Sequence, residues 1–246
     1  MVITESINSS NFKYICKMTT VLVVATQQEI FPLLNSLEFI DVIDHRLSRY
    51  QYNNNVIFVL TTGVGMVSTA FECGRFFSEY KPDQAINLGI AGSFTDDFDK
   101  GEVLEIISDL FADMGAQDGE DFLSLPELGL LNESEFPFIK NQLINDKGIE
   151  MRTIKNLKKA RAITVNQVHG EEKSIAQIIK RHNPQTESME GAAFFYACFL
   201  AGIPCTQIRA ISNYVKRRNR LEWDIPLAVT NLNNTSFKII QELLME

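Results

Sequence analysis

The chain is 246 residues long, enough for one domain of about 250 residues or two small ones, either with a substantial buried core. Its 45% hydrophobic, 22% charged and 10% aromatic residues are those of an ordinary globular protein, which excludes a disordered or fibrous chain. The net charge of −8 repels polyanions and no tract approaches the roughly 18 consecutive apolar residues of a membrane helix, so the expected partner is a small molecule rather than nucleic acid or a membrane.

Residues 1–17 read as an N-terminal arm, disordered or preceding a true start at Met18. Val21–Ala25 is a continuous β-branched run, the pattern of a strand buried on both faces, and its five residues are too few for the roughly 7–15 of a signal-peptide core. The spacing Ile30, Leu33, Leu34, Leu37 predicts a helix, with Pro32 in its first turn. Val56–Leu60 predicts a second strand, ending in Thr61-Thr62-Gly63-Val64-Gly65, and Met66–Tyr80 an amphipathic helix stopped by Lys81-Pro82-Asp83. Gln84–Leu88 runs into Gly89-Ile90-Ala91-Gly92, and apolar residues alternate from Val103 to Ile107. Residues 111–148 read as a long irregular loop with a function or a partner.

Beyond it the pattern predicts a strand over Arg161–Val165, a surface helix over Glu171–Arg181, and a helix opened by Thr186-Glu187-Ser188-Met189-Glu190 that closes at Gly202 before Pro204. A strand over Thr206–Ile211 and a terminal amphipathic helix over Pro226–Met245 complete the chain. Alternating strands and helices without repeat or linker imply a single-domain α/β fold with a mixed, largely parallel central sheet flanked by helices.

Cys16, Cys73, Cys198 and Cys205 form no CxxC pair and suit a reducing, cytoplasmic setting. Three histidines, His45, His169 and His182, lack the spacing of a zinc site, so chemistry free of metal is expected. Gly63-Val64-Gly65-Met66-Val67-Ser68 follows a strand and opens a helix, but serine replaces the third glycine of a dinucleotide fingerprint; it is either a tight turn or a ligand-facing loop. No GxxxxGK[ST] or GxSxG motif occurs, which disfavours a P-loop nucleotidase and a serine hydrolase. Glu29 lies just past a buried strand, at the edge where α/β sheets bind ligands, as either a working carboxylate or an exposed first-turn acid. Glu190 opens an apolar helix, where sugar hydroxyls or a backbone cap would satisfy its carboxylate. Asn213 ends a strand, as a turn former or a ligand contact.

Together Val24-Ala-Thr-Gln-Gln-Glu29, Thr62-Gly-Val-Gly65, Lys81-Pro-Asp-Gln-Ala-Ile-Asn-Leu-Gly-Ile-Ala-Gly92, Glu187-Ser-Met-Glu-Gly-Ala-Ala193 and Arg209-Ala-Ile-Ser-Asn213 resemble the purine nucleoside phosphorylase and nucleosidase superfamily over most of residues 20–245. The tail Ile211-Ser-Asn-Tyr-Val, Arg218-Asn219, Trp223 and Ile225-Pro226 looks particularly like futalosine hydrolases. The resemblance implies that residues 18–246 form a cofactor-free catalytic domain that cleaves an N-glycosidic bond, usually as a homodimer or larger homo-oligomer. Glu29 then orients and deprotonates the attacking water, Glu190 accepts the ribose hydroxyls, Met189 lines the sugar face, Gly92 belongs to the substrate pocket, and His169 either stacks on the base or lies on a surface loop.

Adenine-specific nucleosidases carry aspartate at the position of Asn213. An amide there can donate to O6 and accept from a proton-bearing N7, which suits a hypoxanthine leaving group but leaves the source of the N7 proton open. The segments Thr26–Glu29 and Gly63–Met66 contain no cation for phosphate, which favours water as acceptor. The implied reaction is hydrolysis of futalosine to hypoxanthine and dehypoxanthinyl futalosine in menaquinone biosynthesis. Its rivals are a methylthioadenosine/S-adenosylhomocysteine nucleosidase, a purine nucleoside phosphorylase, and a nucleoside-binding module without turnover. The aromatic-bearing stretch Phe111–Phe138 is the candidate wall that meets a neighbouring subunit.

Overall fold

A computed structural model describes residues 18–146 and 148–244; the expected N-terminal arm and the end of the terminal helix lie outside the described residues. Twelve strands and six α-helices lie along them. The strands are β1 (Thr20–Val24), β2 (Glu38–Val42), β3 (Leu47–Tyr52), β4 (Asn55–Thr61), β5 (Gln84–Ser93), β6 (Val103–Asp109), β7 (Gly115–Asp118), β8 (Asp121–Ser124), β9 (Leu143–Ile144), β10 (Lys158–Thr164), β11 (Thr186–Ser188) and β12 (Cys205–Tyr214). The helices are α1 (Phe31–Leu34), α2 (Met66–Tyr80), α3 (Arg152–Lys155), α4 (Glu172–His182), α5 (Gly191–Ala201) and α6 (Ile225–Leu243).

The main sheet runs β11-β10-β6-β12-β5-β1-β4-β3-β2, and β11 pairs back onto β5, so that five strands close into a ring with an open wing beyond β5. Around β1 the neighbours β4 and β5 are parallel, as is β12 on β5, while β12–β6 and the β2–β3–β4 meander are antiparallel. This is the mixed α/β sheet that the alternation of elements implied. One face packs under α2 and α5 through Phe76, Phe194 and Phe195, and the other under α6 through Leu232, Ile239 and Ile240. No helix among the described residues is long and apolar enough to cross a membrane.

Three expectations change. Thr186–Ser188 is a strand, because its backbone completes the ring against Gly92 and Ser93, and the helix begins only at Gly191. The supposed loop over 111–148 contains the β7–β8 hairpin and the short β9. Around Glu29 the chain forms a 3₁₀ turn (Gln27–Ile30), followed by a single turn of α-helix rather than a longer helix.

Candidate active site

The turn after β1 carries Glu29. Its Oε2 accepts from the Thr26 amide (3.1 Å) and hydroxyl (3.2 Å), and its Oε1 accepts from the Ile90 amide (3.3 Å) at the end of β5. Asn233 of α6 braces the turn from behind, donating to the Glu29 carbonyl (2.8 Å) and accepting from the Leu33 amide (2.8 Å). Burial raises the Glu29 carboxyl above its ordinary value, while the Arg209 guanidinium and the Thr26 amide pull it back.

The turn after β4 needs positive φ at Gly63 (84°) and Gly65 (97°), a conformation natural to glycine. It presents the Gly65 amide to Glu190, whose Oε1 accepts at 2.9 Å. Glu190 is the N-cap residue of α5, just outside its first turn, and its side chain reaches across to this second turn instead of capping its own helix. Buried beside these acids is Arg209, 2% exposed, whose charge interacts with Glu190, Glu29 and Asp109. It donates to Asn87 Oδ1 and to the Ile208 carbonyl (3.2 Å). Arg209 is a contributor that sequence reasoning missed; a lone cation inside the apolar strand Ile208–Ile211 was the signal that a buried partner had to exist.

Gly92 marks another part of the site. It is the register partner of Asn213 on one side and of Glu187 on the other. A bulge at Ser212 interrupts the β12 register and sets where Asn213 emerges, as bulges beside sites often do. The Asn213 amide is half satisfied within its own strand: Oδ1 accepts from Ser212 Oγ (2.8 Å) and Nδ2 donates to the Tyr214 carbonyl (3.1 Å). One N–H and one lone pair remain for a ligand. On the opposite flank Glu187, 4% exposed, takes the His169 amide on Oε1 (3.1 Å) and His169 Nδ1 on Oε2 (2.7 Å). Glu187 is a second residue that the sequence did not single out. The His169 ring meets Phe94 edge to face at 6.1 Å.

Glu29, Gly92, His169, Met189, Glu190 and Asn213 all line one cleft of about 1130 Å³. Lys216, Arg218 and Trp223 line it too, with the Arg218 guanidinium 5.0 Å from the Trp223 ring centre. Of the stretch expected to meet a neighbouring subunit, Phe122 reaches the cleft, whereas Phe111 and Phe138 pack with Tyr196 against the core. A cation does approach the glycine turn: a Cβ on Gly63 would lie 3.1 Å from Arg46 Nη1, although Arg46 is not among the residues lining the cleft.

The profile of the phosphorylase superfamily matches residues 19–244. Futalosine hydrolase of Thermus thermophilus is 27% identical over 185 residues, 74% of this chain and 80% of that one. Aminodeoxyfutalosine nucleosidase of Campylobacter jejuni is 23% identical over 232 residues, 92% and 98% of the two chains. The solved 5′-methylthioadenosine/S-adenosylhomocysteine nucleosidase of S. pneumoniae, bound to a transition-state inhibitor, superimposes with a TM-score of 0.74 over 92% of this chain and 100% of that one, at 17% identity, a likeness of fold. The chain belongs to the phosphorylase superfamily. Within it the chain stands with the nucleosidases, which are N-glycosidic hydrolases.

Proposed function

We propose that this protein hydrolyses the N-glycosidic bond of a 6-oxopurine nucleoside bearing an extended 5′ substituent, with futalosine as the leading substrate. The carrying observation is the Asn213 amide beside Gly92, with one donor and one acceptor left over. An N–H donated to O6 and a lone pair turned to a protonated N7 match hypoxanthine, whereas adenine presents an amino group where the amide also donates. Buried mismatches of that kind cost roughly 1–3 kcal/mol each.

Breaking the bond builds positive charge on the ribose, and the carboxylates of Glu29 and Glu190 favour it. Glu29, raised by burial, is suited to take the proton of the attacking water, and Glu190 to accept ribose hydroxyls beside Met189. Water is favoured over phosphate because the amides that would cradle an anion, Ile90 of β5 and Gly65 of the turn after β4, already donate to Glu29 and Glu190. Lys216 and Arg218 in the same cleft suit an acidic group on the substituent. Exposed Val64, Val67 and Phe71 offer an apolar patch for the expected homo-oligomer.

Incubation with futalosine, inosine and methylthioadenosine, each with and without phosphate, tests the reading. Base release from futalosine, unchanged when phosphate is omitted, is expected; release from methylthioadenosine alone, or a strict phosphate requirement, overturns it.

A further inference from the structure

A departing purine keeps the electron pair of the C1′–N9 bond and leaves readily only if a proton arrives on its imidazole ring, usually at N7. Asn213 cannot supply that proton, since an amide does not titrate. Glu29 and Glu190 are already engaged, by the Ile90 amide of β5 and by the Gly65 amide of the turn after β4, and they serve the water and the sugar. Asp113 and Glu171 also line the cleft, but Asp113 accepts from Asn166 and Glu171 caps the start of α4.

His169 stands differently. Gly92 has Asn213 on one neighbouring strand and Glu187 on the other, and a Cβ on it would lie 2.9 Å from Val215 Cγ2, 3.3 Å from Asn213 Nδ2 and 3.6 Å from Glu187 Cγ. The Asn213 amide and the Glu187 side chain therefore pack, with Val215, around one glycine of the cleft wall. Glu187 spends both oxygens on His169, one on its amide and one on Nδ1, which fixes the ring in the cleft wall. With Nδ1 engaged, Nε2 is the ring nitrogen left for the cleft that His169 lines.

We infer that His169, oriented by Glu187, delivers the proton that the leaving base requires. The inference rests on the nucleosidase reading above. The C1′–N9 bond breaks with its electron pair on the base; the proton on His169 Nε2 passes to N7; water oxygen bonds to C1′ and its proton passes to Glu29. One water is consumed, and the two residues return to their starting states by exchanging one proton through solvent. The Glu187 carboxylate compensates the charge of the doubly protonated ring, the part that the third member plays in hydrolytic triads. His169 would be a catalytic residue and Glu187 a positioning residue.

The test compares wild type, His169→Gln and Glu187→Gln on futalosine and on p-nitrophenyl β-D-ribofuranoside, whose leaving group departs as a stable anion without a proton. His169→Gln should lose about 10²–10⁴-fold in kcat on futalosine and less than about 5-fold on the nitrophenyl riboside, with Glu187→Gln showing the same pattern to a smaller degree. A parallel titration with free hypoxanthine should leave the affinity of His169→Gln within about 5-fold of wild type. Equal losses on both substrates, or an affinity loss that matches the rate loss, overturns the assignment. A wild-type enzyme that releases no base from any nucleoside defeats the nucleosidase reading itself, whereas active variants at full rate remove only the role of His169.

Discussion

Glu29 and Arg209 converge on Gly89: a Cβ there would lie 3.2 Å from Glu29 Oε1 and 3.2 Å from Arg209 Nη1. The missing side chain lets a carboxylate and a guanidinium share one buried corner of the sheet. Desolvation of Glu29 is thereby opposed, but not cancelled, by the cation beside it. A general base must be ionised, so kcat/KM should fall on the acid side at a pH above the ordinary carboxylate range. Glu29→Gln should lose about 10²–10⁴-fold in kcat, keep nucleoside affinity and show no such acid limb. A pH–rate profile of the two proteins checks this; an acid limb that survives in Glu29→Gln assigns the titration to another group.

Arg209 carries a larger structural burden, because its charge faces Glu29, Glu190 and Asp109 at once. Arg209→Gln should cost about 3–5 kcal/mol, the usual penalty for stranding buried charge. Whatever folded enzyme remains should have its acid limb moved to higher pH, since the guanidinium is the strongest of the influences that lower Glu29. Urea unfolding gives the first number and the rate profile the second. A mild loss of stability with an unmoved limb contradicts both.

Asp109 gives a stability signature of its own. It is fully buried, and burial pushes its carboxyl up from 3.8 to about 6, against hydrogen bonds from Thr164 (2.9 Å), Gln207 (3.2 Å) and the Leu110 amide (2.8 Å). A carboxyl raised in the folded state contributes stability below its unfolded value and loses it as pH climbs through the folded one. Over that window the loss is worth about 3 kcal/mol. Asparagine at 109 does not titrate, and a flip of the Gln207 amide would turn its partnerless Oε1 toward the new donor. The stability of Asp109→Asn relative to wild type should therefore rise between pH 4 and pH 7, measured by urea unfolding at each pH; a constant difference refutes it.

The readable parts of this fold were those governed by local pattern. The apolar runs of β1 and β4 and the amphipathic spacing of α2 announced themselves; Glu29 and Asn213 could be singled out because they sit just past apolar segments, and Glu190 because it opens one. What escaped was set by long-range pairing. Thr186–Ser188 becomes a strand because β5 offers an edge to close on, which no window of neighbouring residues reveals. His169 and Glu187 are 18 residues apart and meet only once that ring exists. The β7–β8 hairpin is short and polar, with Gly119 (φ 62°) in its turn, so its period is too weak to stand out from loop.

Base selectivity provides the last prediction. Asn213 and Gly92 are register partners, and the bulge at Ser212 determines which way the amide emerges. Asparagine 213 leaves an N–H for O6; aspartate in its place would present only acceptors unless protonated, and a protonated acid can donate to N7 while accepting from a 6-amino group. Asn213→Asp should therefore lower kcat/KM for 6-oxopurine nucleosides and raise it for the 6-amino analogues, moving their ratio by about 10–100-fold, which corresponds to one or two buried hydrogen bonds. The Ser212 hydroxyl can still donate to the new carboxylate at the place where it now donates to Oδ1, so the local backbone should be kept. Competition between inosine and adenosine derivatives carrying the same 5′ substituent measures the ratio directly. If it stays within about 2-fold of wild type, Asn213 does not read the six position and the preference for an oxopurine loses its foundation.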